Sequence, residues 1–408
     1  MKLKLSHKTQ ITKGELTITG SKSESNRMLV LQALYPNLKI ENCSNSDDSQ
    51  VTQKGLKSTS DTIDIHHAGT AMRFLTAYFA TRPDREVVLT GSQRMQERPI
   101  KLLVEALQSL GAEIQYTKES GYPPLKIKGK AITKDQVALP AHVSSQYISA
   151  LMLIAPSLKN GLTIDLVGET TSVPYIKMTQ SIMDQLGIKT DFDGHKITIQ
   201  SKPKIDAKTW VVESDWSSAS YFYSVLALAK EGQITLESFN SESKQGDAAL
   251  SHLYEKLGVM THFDRGKIIL SKQSHFTVPH YISMDLKNTP DLAQTIAASC
   301  LGMGVGCKLT GLHTLKIKET DRLLALKIEM EKLGAQVQIT DNSLELENTN
   351  SLKEYVPIDT YNDHRMAMAF APLGLKVPIV IKNAGVVSKS YPSFWDDLKR
   401  IGFDLDQF

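Results

Sequence analysis

Leu315-Lys316-Ile317-Lys318-Glu319-Thr320-Asp321-Arg322-Leu323 packs three cations and two carboxylates around one threonine, then runs into an apolar helical pattern. If the helix begins near Thr320, its free N–H groups and dipole favour an anion. Lys318 and Arg322, four positions apart, can converge on that anion. Glu319 is then a proton carrier held among positive charges. Taken alone, such a run is more often a solvated helix start, but the same kind of cluster returns along the chain.

Gly20-Ser21-Lys22-Ser23-Glu24-Ser25-Asn26-Arg27 reads as a glycine turn, a polar cap and a helix with Ser23 and Arg27 on one face. It lacks the GxxxxGK[ST] spacing of a nucleotide P-loop. A Ser21–Glu24 capping box accounts for the serine and glutamate, and leaves Lys22, Ser23 and Arg27 unexplained. His66-His67-Ala68-Gly69-Thr70-Ala71-Met72-Arg73 is a second small-residue helix start, where Gly69 admits a ligand to the backbone and Arg73 backs it. Adjacent histidines rarely point at one ion, and no HExxH pattern accompanies them, so no metal is expected.

Arg94 and Arg98 precede a helix expected to start at Pro99, and their planar forks suit carboxylate or phosphate. Ser144-Ser145-Gln146-Tyr147 and Ser172-Val173-Pro174-Tyr175 place hydrogen-bonding groups at apolar helix starts, as caps also do. Asp291, in Thr289-Pro290-Asp291, is either a carboxylate steadied by a helix dipole or a base aimed at a substrate hydroxyl. Tyr361-Asn362-Asp363-His364-Arg365 and Lys389 complete the set.

The elements that must position these groups repeat. A helical pattern ending in Leu/Ile-Gly and followed by a short alternating strand occurs at Gly111, Gly187, Gly258, Gly334 and Gly402, with a weaker copy at Val51–Leu56. Six helix-plus-strand units predict an α/β protein in two halves of three units, with sheets outward and helices inside. The polar break Glu213-Ser214-Asp215 near mid-chain marks one crossing, and a second near Gly14–Gly20 is needed if Lys2–Leu5 joins the C-terminal half. The expected lobes are 14–213, and 1–13 with 214–408.

Composition is that of an ordinary soluble globular protein long enough for two or three domains: 408 residues, 41% hydrophobic and 22% charged. A formal net charge of +3 supplies no global field for nucleic acid. Cys43, Cys300 and Cys307 have no paired-ligand spacing, which fits a reducing compartment. The N-terminus lacks a signal-peptide core and there is no long apolar span, so a cytoplasmic, non-membrane protein is expected.

Read in order, GSKSESNR, HAGTAMR, RMQERPI, SSQY, SVPY, SDWSSASYF, PDLAQTIA, KIKETDRL, YNDHRMAM and SKSYPSF resemble the 5-enolpyruvylshikimate-3-phosphate synthase family of enolpyruvyltransferases over nearly the whole chain. The resemblance implies the two-domain enolpyruvyltransferase fold of six βαβαββ units, three per domain, with the active site in the interdomain cleft. It implies transfer of the enolpyruvyl group of phosphoenolpyruvate to the 5-hydroxyl of shikimate 3-phosphate, in chorismate and aromatic amino-acid biosynthesis. Those substrates carry about five to six negative charges, at about −1.5 to −2 per phosphate.

Carried over by position, Ser23, Arg27, Ser144, Ser145, Gln146, Ser172 and Tyr175 would hold shikimate 3-phosphate, with Lys318 orienting the hydroxyl and Asp291. Gly69, Arg98, Gln146, Arg322, Arg365 and Lys389 would hold phosphoenolpyruvate, and Lys22 would touch both. Glu319 would be the carbon acid/base, Asp291 the hydroxyl base, and Lys22 or Lys389 the stabiliser of departing phosphate. No cofactor or metal is implied, and a monomer is expected. Three positions depart from the family pattern: His67 and Thr314 stand where asparagines are usual, and Val173 replaces a common basic residue. The rivals are the sister transferase acting on UDP-N-acetylglucosamine, whose loop cysteine Cys43 does not match, and a noncatalytic anion-binding protein of the same fold.

Overall fold

The computed structural model describes residues 1–141, 144–168 and 173–408. The chain divides into two compact units, Met1–Thr19 with Glu213–Phe408, and Gly20–Val212. The crossings therefore fall at Thr19/Gly20 and Val212/Glu213 rather than after residues 13 and 213. Strand pairing is the reason. Ile11–Leu16 runs straight through Gly14, parallel to Glu231–Glu237, with Leu16 opposite Leu236. Ser214 Oγ then donates to the Ile18 carbonyl at 2.7 Å and the Asp215 N–H to the Thr19 carbonyl at 3.2 Å.

Within the 20–212 unit, strand Thr62–Asp64, helix Gly69–Ala80, strand Glu86–Thr90, helix Lys101–Ser109 and the strands Glu113–Tyr116 and Leu125–Lys128 build one βαβαββ repeat. Its first two strands are parallel and joined through the helix; the rest pair antiparallel. Gln136–Pro140, Ser145–Ile154, Leu162–Val167, Val173–Gln185, Thr190–Phe192 and Lys196–Ile199 build a second on the same plan. The third sheet is abbreviated: among the described residues it has two strands, Leu38–Glu41 parallel to Lys208–Val211.

In the other unit, Tyr281–Asp285, Ala293–Met303, Gly306–Thr310, Arg322–Lys332, Val337–Ile339 and Leu344–Leu346 follow the same order. The two remaining four-stranded sheets each borrow a strand from the N-terminus: Ile11–Leu16 beside Glu231–Glu237, and Leu3–Ser6 between Ile379–Ile381 and Asp404–Gln407. Strands such as Leu125–Lys128 and Lys196–Ile199 alternate buried and exposed residues, so each sheet shows one face to its helices and one to water.

Three helices meet at each centre. Trp216–Leu228, Ala293–Met303 and His364–Phe370 pack together in one unit; Lys22–Leu34, Gly69–Ala80 and Ser145–Ile154 do so in the other. Trp216–Leu228 is buried nearly all round, as an interior helix must be. Tyr221, Phe222, Tyr391 and Phe394 stack edge-to-face around it. Each such side chain contributes about 1.5–3 kcal/mol by leaving water.

The repeated glycines close their helices as expected: Gly111, Gly187, Gly258, Gly334 and Gly402 all have φ between +73° and +107°. The weaker copy differs, because helix Asp47–Lys57 ends at Ser58 in extended backbone.

Candidate active site

Arg322 is the centre of the site in the C-terminal unit. It opens helix Arg322–Lys332, whose N-cap is Asp321, close to the start expected near Thr320; the Asp321 carboxylate takes the Leu324 N–H at 3.1 Å. The helix start is thus already occupied by its own cap, and the anions gather on the Arg322 side chain instead. Only 2% exposed, its guanidinium donates to Asp363 at 2.7 Å through Nε, to Asp291 at 2.7 Å through Nη1 and to Glu319 at 2.8 Å through Nη2. Burial disfavours its charge, but Asp363, Glu319 and Asp291 outweigh that and hold it protonated more firmly than usual.

Asp291 lies in the turn Pro290–Leu292 ahead of Ala293–Met303. Besides Arg322 it meets Lys318 Nζ at 3.5 Å and Arg365 Nη2 at 3.3 Å, and its carbonyl accepts Arg365 Nη1 at 3.1 Å. Burial pushes its carboxyl up, yet Arg365, Lys318 and Arg322 together keep it well below the usual carboxylate range. Lys318 and Arg322 do converge on one anion, as their spacing predicts, and in this structure it is the Asp291 carboxylate.

Asp363 caps His364–Phe370 by accepting the Arg365 N–H at 2.9 Å, which places Arg365 against Asp291. Arg365 Nη2 also donates to Ser217 Oγ at 3.3 Å, and the Ser217 hydroxyl donates to buried Asp247. Burial raises the Asp247 carboxyl to about 6. Lys389 donates to the Asn362 carbonyl at 2.6 Å.

The 20–212 unit carries the second group. Ser21 caps Lys22–Leu34 by accepting the Glu24 N–H at 3.4 Å, the serine half of the expected capping box, while the Glu24 carboxylate takes Trp210 Nε1 at 2.7 Å. Lys22 Nζ lies 3.5 Å from Asp48. Arg27, 3% exposed, is turned inward: Nε donates to Thr179 Oγ1, Nη1 to the Ser23 carbonyl and Nη2 to Ser149 Oγ, all within 2.8 Å. Burial lowers its pKa to about 10. Its guanidinium ties three helices together and fixes Ser23 from behind.

Helix Gly69–Ala80 starts without a side-chain cap. A Cβ on Gly69 would lie 2.7 Å from Arg98 Nη1, so the bare backbone is what lets the guanidinium rest there. Buried Arg73 donates to the Gly69 carbonyl at 3.2 Å and the Pro99 carbonyl at 2.8 Å. Its pKa falls to about 10, first through burial and then through Arg98. Among the described residues neither arginine pairs with a carboxylate, so two guanidiniums beside an uncapped helix start offer positive charge to an anion. Gln146 Nε2 reaches Thr70 Oγ1 at 3.3 Å.

Pro99 does not open a helix. Lys101–Ser109 starts after Ile100, and the Pro99 carbonyl instead accepts Arg73 and the Tyr147 hydroxyl. Ser144 caps Ser145–Ile154, accepting the Gln146 N–H at 3.3 Å, and Ser145 is buried. The ring of Tyr175 stands 6.0 Å from the Arg27 guanidinium. Ser172 lies outside the described residues. Of the three departures, Thr314 has a buried hydroxyl with no partner among the described residues.

Two residues that touch site groups went unnoticed in the sequence: Asp48, beside Lys22, and Asp247, beside Ser217. Asp48 sits beside Asp47 after the cap Ser46, a pattern that only signals a helix start. Asp363 had a signal, since it lies within the dense Asn-Asp-His-Arg run.

Residues 37–398 match the family model described as EPSP synthase (3-phosphoshikimate 1-carboxyvinyltransferase). A 3-phosphoshikimate 1-carboxyvinyltransferase of Bacteroides fragilis is 43% identical over 410 residues, covering 99% of each chain. Another, from Colwellia psychrerythraea, is 36% identical over 421 residues, covering 95% of this chain and 96% of its own. Among solved structures, an EPSP synthase of Acinetobacter baumannii superposes with a TM-score of 0.80 at 21% identity over 100% of both chains. The enolpyruvyl transferase NikO of Streptomyces tendae gives 0.73 at 12% identity, over 99% and 98%. At such identities those two likenesses concern the fold alone, whereas the sequence matches span the motifs that carry the site. The chain belongs to the EPSP synthase (3-phosphoshikimate 1-carboxyvinyltransferase) family.

Proposed function

We propose that the chain transfers the enolpyruvyl group of phosphoenolpyruvate to the 5-hydroxyl of shikimate 3-phosphate and releases phosphate, within aromatic amino-acid biosynthesis. The observation that carries this reading is the pair Asp291 and Glu319 on one buried arginine, flanked by Lys318 and Arg365. Two carboxylates in unlike surroundings, among cations, suit a reaction that needs one proton removed from oxygen and another added to carbon.

In this reading Glu319 gives a proton to the methylene carbon of phosphoenolpyruvate as the 5-hydroxyl oxygen bonds to the adjacent carbon, and Asp291 takes the hydroxyl proton. The tetrahedral adduct then loses a methyl proton to Glu319 and expels phosphate, with Lys22 and Lys389 meeting the leaving charge. Asp291 is a weak base while three cations hold it. Anionic substrate groups that draw Lys318 and Arg365 to themselves raise its basicity when it is needed.

Phosphoenolpyruvate is assigned to Lys22, Gly69, Arg98, Gln146, Arg322, Arg365 and Lys389. Shikimate 3-phosphate is assigned to Lys22, Ser23, Arg27, Ser144, Ser145, Gln146, Ser172, Tyr175, Asp291 and Lys318. Because Arg322 and Arg27 are largely engaged by protein groups, their part is to orient neighbours and supply charge. We place the protein in the cytoplasm as a monomer; among the described residues no helix is long and apolar enough to cross a membrane. The test is phosphate release from phosphoenolpyruvate with shikimate 3-phosphate, then with UDP-N-acetylglucosamine. Release with the first alone is expected; release with the second alone would overturn the assignment.

A further inference from the structure

We propose that Glu329 is a positioning residue, which holds the turn Thr360–Asp363 in the one backbone shape that lets it present Asp363 to Arg322 and the Asn362 carbonyl to Lys389. The inference rests on the functional reading above, because it treats Lys389, Arg322 and Arg365 as phosphoenolpyruvate-side groups.

The turn is closed by the Asp363 N–H on the Thr360 carbonyl at 2.7 Å, and its central residues Tyr361 and Asn362 have φ of +52° and +54°. Two successive left-handed residues are the signature of a type I′ turn. Asparagine tolerates that conformation; a tyrosine there is an outlier that surrounding contacts must hold. Inverting the turn would swing the Asn362 carbonyl away from Lys389, which it accepts at 2.6 Å, and the Asn362 side chain away from Asn383 Nδ2 at 2.9 Å.

Glu329 supplies the hold. Its carboxylate is fully buried and accepts the Tyr361 hydroxyl at 2.5 Å and the Asp359 N–H at 3.1 Å, at the turn's centre and entrance. Lys332 Nζ balances the charge, 2.8 Å from each Glu329 oxygen and 2.8 Å from Asp359. Glu329 lies seven positions after Arg322 on one helix, and two turns separate residues on a common face. One face of that helix therefore grips the loop twice: Arg322 at Asp363, Glu329 at Tyr361.

The experiment compares wild type with Glu329→Gln, Tyr361→Phe and Glu329→Gln combined with Tyr361→Asn, reading both KM values and kcat for phosphate release. Expected are a rise of about tenfold in KM for phosphoenolpyruvate in each single variant, as for loss of one well-placed charged contact, with KM for shikimate 3-phosphate within about twofold. Asparagine takes the left-handed shape unaided, so the double variant should recover most of the phosphoenolpyruvate KM. Tyr361→Phe removes one hydroxyl and keeps the test alive should Glu329→Gln not fold. If wild type turns over but the single variants leave both KM values unchanged, shift them equally, or show no recovery in the double variant, the inference falls and the functional reading stands. An inactive wild type defeats the reading itself, and the inference with it.

Discussion

Nη1 of Arg322 lies 2.7 Å from Oδ1 of Asp291, joining the first residue of one helix to the turn that leads into another. Asp363 and Glu319 occupy the same guanidinium. Such a buried hub has little net worth against an apolar replacement, but removing it alone takes the shared buried cation from three carboxylates.

Arg322→Ala is therefore expected to lower unfolding stability by about 3–5 kcal/mol, the usual consequence of breaking a buried ion pair from one side. Denaturant titration checks this. A change below about 1 kcal/mol, typical of a surface pair, would mean that the three carboxylates are solvated in solution.

Glu319 touches Arg322 from a half-exposed position. Glu319→Gln keeps its shape and removes the proton it is proposed to move, so kcat should fall by about 10²–10⁴. Phosphoenolpyruvate binding, followed by calorimetry in the presence of shikimate 3-phosphate, should survive. Turnover within a few fold of wild type would remove Glu319 from the proton path.

Gly69→Ala puts a methyl group where Arg98 Nη1 now lies. Because the clash is with the end of a flexible side chain, the arginine should yield and the fold survive. Phosphoenolpyruvate should then lose one charged hydrogen bond, worth about 1.5–3 kcal/mol, giving at least a roughly tenfold higher KM. An unaltered KM with unaltered stability would put Gly69 and Arg98 outside the binding site.

What was legible in the sequence was local. Gly111, Gly187, Gly258, Gly334 and Gly402 each end a helix because only glycine relaxes at such φ, and the strands after them alternate in the expected period. The clusters were visible because charge beside small residues at a helix start is a local pattern. Their wiring was not. Nothing within a few positions of Arg322 announces Asp363, nor does the neighbourhood of Glu329 announce Tyr361; those pairs exist only once the sheets have brought their connections together. Arg27 shows the same limit. Its spacing from Ser23 was readable, whereas the inward turn of its guanidinium depends on Ser149 and Thr179, on other helices. One helix start slipped for a related reason: Pro99 was drawn off to serve Arg73 and Tyr147.

Asp247 gives the clearest pH dependence. Its carboxyl is buried, accepts the Ser217 hydroxyl, and faces Arg365, Asp291 and Asp215; burial raises it from 3.8 to about 6 despite Arg365. A carboxyl raised in the folded state favours the protonated native protein, so its stabilising contribution is complete below pH 3.8 and is lost as pH rises through about 6. The loss is on the order of 2–3 kcal/mol, since each tenfold difference in proton affinity between the folded and unfolded chain is worth about 1.4 kcal/mol. Asp247→Asn cannot ionise, so the difference in unfolding free energy between variant and wild type should move in the variant's favour across that window and level off above it. Parallel urea titrations at several pH values measure it. A difference independent of pH from 4 to 7 would show that the carboxyl ionises as readily folded as unfolded, and that Arg365 compensates its burial in full.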